Sequence, residues 1–199
     1  TMDLNRRHLI GASTAGLAGA LAMPSEISRA ASLTSTSGRD AAHHGVQPGS
    51  SENQTQALQR AIDEAARAQV PLALPPGVYR TGMLRLQSGT QLVGVRGATR
   101  LVFEGGASML SAEGARGIEL TNVTLDGQAI ALPARRGLIH CIGARDIRVT
   151  DCEIVDSGGN AIWLENASGA ISGNLVNNCA GTAIVSFDAQ GLLVSQNRI

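Results

Sequence analysis

The chain has 199 residues, 43% hydrophobic and 16% charged, with a formal net charge of zero and only four aromatic residues. That balance is too apolar for a disordered chain. The absence of any Lys excludes Schiff-base and Walker-type phosphate chemistry, and the neutral charge and scarce aromatics argue against a nucleic-acid partner. Three cysteines (Cys141, Cys152 and Cys179) are too few for a disulfide scaffold.

The first 30 residues read as an address. Arg6-Arg7 precedes an uncharged Gly/Ala-rich stretch from Leu9 to Met23, and Ser28-Arg29-Ala30 offers small residues for signal cleavage. The stretch is short for a membrane span, which needs ~20 residues. The paired Arg before a weakly apolar segment resembles a twin-arginine signal, with Asn5 and Gly11 as departures from its commoner form. The expectation is export to the periplasm or beyond by the twin-arginine machinery, with no stable membrane span after cleavage. Removal of residues 1–30 leaves 13 Arg against 14 acids. Residues 31–50, rich in Ser, Thr, Gly and His, read as a linker and loop.

From 51 onwards the pattern is that of a folded domain. Ser51 and Gln54 have capping-box spacing, and Leu58, Ala61, Ile62, Ala65 and Ala66 share one face, so a helix is expected over 52–68. Val70-Pro71 ends it. Short apolar strands then follow to the end of the chain: Leu72–Leu74, Val78–Arg80, Met83–Leu86, Thr90–Val95, Leu101–Phe103, Met109–Leu110, Ile118–Leu120 and Val123–Leu125, separated by Gly, Asn, Asp or Ser.

The strands repeat. Val149–Ile154 matches Ile171–Val176 at a step of 22, and that segment matches Val194–Ile199 at 23. Leu120–Leu125 lies 29 before the first copy, with Ile130–Arg136 as the excess. The blocks beginning at Gly137, Gly159 and Gly181 also step by 22. A step of this size means stacked coils. No helix fits within a coil, but three short strands do. The expected fold is all-β: a right-handed parallel β-helix of ~22-residue coils over 72–199, with an N-terminal capping α-helix. Asn174 and Asn197 occupy equivalent bends and should stack as a ladder, with Cys152 in the same place one coil earlier. Ile199 falls inside a repeat strand with no polar cap after it, so residues 51–199 are expected to be the N-terminal part of a longer solenoid.

Thr55–Asp63, Leu74–Tyr79 and Leu86–Gly94 resemble the opening of pectate-lyase-like proteins. In those proteins a capping helix precedes the first coils of a right-handed β-helix. Together with Arg6-Arg7 and the 22-residue step, the chain is similar to twin-arginine-translocated repeat proteins of that superfamily. The resemblance implies a polysaccharide partner and lyase- or hydrolase-like chemistry; a glycan-binding or adhesin-like repeat protein is the alternative. A lyase would add Ca²⁺; no other cofactor is evident. The Asn-Thr-Asp, Gly-Asp-Asp, Gly-His-Gly and Arg-Ile-Lys motifs of polygalacturonase-type hydrolases are not found.

Asp151, Glu153 and Asp156 form the densest acid cluster and are the catalytic candidates. Strand alternation puts Asp151 and Glu153 opposite Cys152, as Ca²⁺ ligands or a glycosidase pair would require. The alternative is a solvated polar face with Arg–Asp pairs. Asp126, Arg148 and Trp163 are the substrate-binding candidates. Asp126 either faces a sugar cleft or closes a local turn. Trp163 is a sugar platform if it points outward and core if inward. His140 and Cys141 point to opposite faces of a strand, which argues against joint metal ligation and for a structural His beside a buried Cys.

Overall fold

The computed structural model describes residues 39–199, which form a parallel β-helix capped at one end by a helix. The segment expected to be an export signal, with Arg6 and Arg7, lies outside the described residues. Five full coils each contribute one strand to each of three sheets, sheet 1 gains one more strand at either end, and every pairing between strands is parallel.

Sheet 1 has seven strands: Arg39–Asp40, Leu72–Ala73, Gln91–Val93, Arg116–Thr121, Arg145–Thr150, Gly169–Ser172 and Leu192–Ser195. Sheet 2 has five: Gly77–Thr81, Thr99–Phe103, Thr124–Asp126, Glu153–Val155 and Leu175–Asn177. Sheet 3 has five: Leu84–Arg85, Leu110–Glu113, Gly137–Ile142, Asn160–Glu165 and Ile184–Phe187. The register stacks like on like inside. Leu92, Leu120, Val149 and Ile171 form one inward row, and Leu101, Leu125, Ile154 and Val176 another. All eight are buried. Full burial of each such side chain contributes about 1.5–3 kcal/mol.

The bends between sheets follow columns as regular as the strands. Asn122, Asp151, Gly173 and Gln196 all have positive φ at the corner after sheet 1. Gly114, Gly143, Asn166 and Asp188 do so after sheet 3. Left-handed backbone favours Gly and tolerates Asn and Asp best among other residues, so these columns explain much of the Asp, Asn and Gly content of the repeat. Beside the first column runs the expected ladder. Asn197 Oδ1 accepts from the backbone and side-chain nitrogens of Asn174 at 3.0 and 2.9 Å. Asn174 Oδ1 accepts from Cys152 N at 2.9 Å, and its Nδ2 donates to Val149 O at 2.8 Å.

Helix α1 spans Thr55–Ala68, starting three residues later than expected. It buries Leu58, Ala61, Ile62, Ala65 and Ala66 over the first coils, which covers the open strand edges there. The capping box does not form. Asn53 bridges to Arg80 as extended backbone, so the helix cannot begin before it. Asn53 Oδ1 instead accepts from Thr55 N at 3.0 Å, and Gln54 turns back to the Gln47 backbone. Within the segment read as linker, Arg39–Asp40 adds the first strand of sheet 1, and Ala41 and Val46 join the core.

Candidate functional site

The acids singled out in the sequence are distributed around the coil, and each has a local side-chain partner. Asp151 is the left-handed corner residue after sheet 1, and Arg96 Nη1 lies 3.4 Å from its Oδ1. Cys152 faces the core beside it. Glu153 stands on the outer face of sheet 2, where Thr124 Oγ1 donates to it at 3.2 Å. Asp156 is a second left-handed corner, stacked on Asn178, whose Nδ2 donates to it. Asp126 is 2% exposed. Its Oδ2 takes a 2.8 Å contact from Arg100 Nη1, and its Oδ1 accepts from Gln128 N at 2.9 Å, the local turn bond that was its alternative reading. Arg148 lies on sheet 1, in register with Glu119, beside a shallow groove of about 450 Å³. Trp163 lies on sheet 3. Asp126 and Glu153 share the outer face of sheet 2; Arg148 and Trp163 are on other faces.

Sheet 3 gathers a different set. Register places Ser111, His140, Trp163 and Val185 in one outward row, and Glu113, Ile142, Glu165 and Phe187 in the next. Their neighbours Leu110, Ile139 and Ile162 face the core. Trp163 therefore points outward, yet only 6% of it is exposed. It packs on Phe187 with ring centroids 5.1 Å apart, and the Arg135 guanidinium lies 5.8 Å from each ring. Arg135 belongs to the Gly127–Arg136 connection, the longest between sheets 2 and 3 and the source of the 29-residue step. That connection is tied down by an Ala131–Gly158 bridge and by Asn160 Nδ2 donating to Arg136 O at 2.9 Å.

His140 is 2% exposed, and neither ring nitrogen has a hydrogen-bond partner; Trp163 Nε1 also lacks one. Buried polar groups are almost always paired, so three orphaned nitrogens on adjacent rungs single out this spot. Burial, assisted by the Arg136 charge, pushes the His140 pKa below its ordinary value against the opposing pull of Glu113 and Glu165. The imidazole is neutral at pH 7, with one nitrogen free to accept a proton. Alongside runs a groove of about 710 Å³ lined by Arg85, Gln87, Ser111, Glu113 and Arg136. It shares Arg85 and Gln87 with a trough of about 640 Å³ against helix α1.

Cys141 lies in the core, opposite His140, and burial pushes its thiol up to about 12. Cys152 is raised to about 11 for the same reason. Neither thiol is poised as a nucleophile or metal ligand. Among the described residues no group of three or more His, Cys, Asp or Glu comes together as a ready-made metal site.

Sequence reasoning missed His140, Arg135, Arg136, Glu113, Glu165 and Phe187 as a group. The cause is one residue of register. The blocks at Gly137 and Gly159 suggest a step of 22, which sets Trp163 against Cys141. The strands pair Gly137 with Asn160, a step of 23, and His140 with Trp163. A slip of one exchanges inward for outward side chains.

The profile of the family described as "Right handed beta helix region" matches residues 86–199, more than half of the chain. No curated protein matches in sequence. Among solved structures, a Parabacteroides merdae protein provisionally described as a glycosyl hydrolase superposes with a TM-score of 0.66 at 17% identity, covering 81% of this chain and 97% of that one. The A-module of the Azotobacter vinelandii mannuronan C-5 epimerase AlgE4 superposes with a TM-score of 0.61 at 20% identity. That match covers 79% of this chain and 50% of the module, so this chain spans half the module's length. At such identities the likeness is one of fold. The parallel coils and the profile agree: the chain belongs to the right-handed β-helix family.

Proposed function

We propose that this protein binds and processes a polysaccharide laid along the outer face of sheet 3. The observation that carries the reading is His140, a buried neutral imidazole with both nitrogens unpartnered, one rung from the groove residue Ser111. Strands are about 4.8 Å apart, close to the length of one sugar unit in an extended chain, so successive rungs meet successive sugars. Both structural neighbours carry carbohydrate-active descriptions, which is in keeping with this reading. Export through the twin-arginine route, resting on Arg6-Arg7, is part of the same proposal and would bring the protein to cell-envelope or extracellular glycans.

The chemistry these residues suit best is elimination at an acidic sugar. Arg85 and Arg136 face the groove and would hold the carboxylate. His140 would take the proton from the carbon beside it. The C–H electrons then form the ring double bond, and the glycosidic oxygen departs with its electron pair and is protonated from solvent. Hydrolysis is the second reading. Glu113 and Glu165 occupy one row two rungs apart, a backbone separation of about 9.5 Å, within reach of the carboxylate spacing of inverting glycosidases.

The test is incubation of the full-length protein, wild type and His140→Gln, with polyuronates and with neutral β-glucans. Ultraviolet absorbance of unsaturated products marks elimination; new reducing ends without that absorbance mark hydrolysis. The account expects elimination by the wild type and a loss of about 10²–10⁴-fold in His140→Gln. Turnover unaffected by that substitution overturns the assignment. Binding without turnover turns the protein into a glycan-binding module.

A further inference from the structure

We infer that Trp163 and Phe187 form a sugar-stacking platform that Arg135 occupies in the unliganded protein, and that a glycan docks there by displacing the guanidinium. The inference rests on the reading of sheet 3 as the glycan face. Three observations lead to it. First, Trp163 projects outward from its strand, where a ring face would be open to solvent, and is nevertheless 6% exposed. Secondly, Arg135 is itself exposed and is placed 5.8 Å from both ring centroids. A guanidinium on an aromatic face takes the position a sugar ring would take when stacking. Thirdly, Trp163 Nε1 and, on the neighbouring rung, both His140 nitrogens are buried without partners. Such groups persist where another occupant satisfies them.

Arg135 has no ion pair among the described residues, so nothing beyond the two rings fixes its head group. It also sits at φ +58° in the long connection between sheets 2 and 3, so its side chain can swing without moving a strand. The cover thus acts as a competitor built into the chain: the platform is available only for the fraction of time that the guanidinium is away, and apparent affinity falls by that fraction.

Trp163 is the only Trp of the chain, which makes the test direct. Its fluorescence is followed in the full chain for wild type, Arg135→Ala and Arg135→Asn, the last retaining a residue suited to positive φ. Neutral acrylamide is added first, then oligomannuronate and cellohexaose as separate probes. The inference expects stronger acrylamide quenching in both variants. It expects glycan binding tightened about 3–10-fold over wild type in both Arg135 variants, and abolished in Trp163→Ala, where binding is read by titration calorimetry because that variant has no Trp. Unchanged quenching overturns the cover. Weakened glycan binding in both Arg135 variants overturns it too, because Arg135 would then be part of the binding surface. If quenching rises but neither glycan binds any variant, the cover stands, while the glycan reading of sheet 3 fails and takes the proposed ligand with it.

Discussion

Sheets 2 and 3 of the same β-helix treat their outward polar groups in opposite ways. On sheet 2 and its corners, Asp126 is held by Arg100 and Gln128, Glu153 by Thr124, Asp151 by Arg96 and Asp156 by Asn178. On sheet 3, His140 and Trp163 are buried with no partner for any side-chain nitrogen. The acids are dense in sequence, but their density comes from the corner columns, where Asp substitutes for Asn or Gly in left-handed backbone. On the proposed reading, unsatisfied hydrogen-bonding capacity rather than charge density marks the working face.

The strongest way to break the comparison acts on the scaffold. Asn174→Ala removes the buried ladder rung that joins Cys152, Val149 and Asn197. It should destabilise by about 3 kcal/mol. That lowers Tm by roughly 6–12 °C, measured by circular dichroism.

Gly158→Ala is the next in size. A Cβ there would lie 2.0 Å from Ile130 O, so the long connection must shift where Ala131 bridges to Gly158. The expected cost is about 1–3 kcal/mol. Unlike Asn174→Ala, it should also expose Trp163 to acrylamide, because the shifted segment carries Arg135. A stability loss without added exposure would disconnect that segment from the cover.

His140 gives a smaller, pH-dependent effect. Its folded pKa is depressed below the ordinary 6.5, so the unfolded chain binds the extra proton first. The contribution of neutral His140 is complete above about pH 6.5 and declines as the pH falls through it. Arg136 holds the pKa down while Glu113 and Glu165 pull it up. His140→Gln should flatten that acidic slope in urea-melt stability as the pH falls below about 6.5. A slope identical in the two proteins would place the protonation elsewhere.

The smallest effects belong to the acids of the sequence cluster. Asp151→Asn keeps a residue suited to positive φ, and Glu153→Gln keeps an acceptor for Thr124. Each should change stability by no more than about 0.5 kcal/mol.

The fold was legible because it is written in local terms. The amphipathic face of Leu58 and Ile62, the 22- and 23-residue steps and the Asn174–Asn197 pair each carry their own physical reason. The site was not, because it depends on register between strands. His140 and Trp163 are 23 residues apart, and Arg135 and Phe187 are 52 apart. Only the paired backbone shows that they converge. Trp163 illustrates the limit: alternation left open whether it was platform or core. It is an outward side chain with the exposure of a core one, packed on Phe187 and with the Arg135 guanidinium over its ring.

Turnover of polyuronates by full-length wild type, His140→Gln and the double variant Asp151→Asn/Glu153→Gln, side by side at pH 7, decides between sheets 2 and 3 as the active face. With His140 as the base, His140→Gln loses about 10²-fold or more, while the double variant stays within about twofold of wild type. Loss of turnover in the double variant, with His140→Gln unaffected, would contradict this and return the active face to sheet 2.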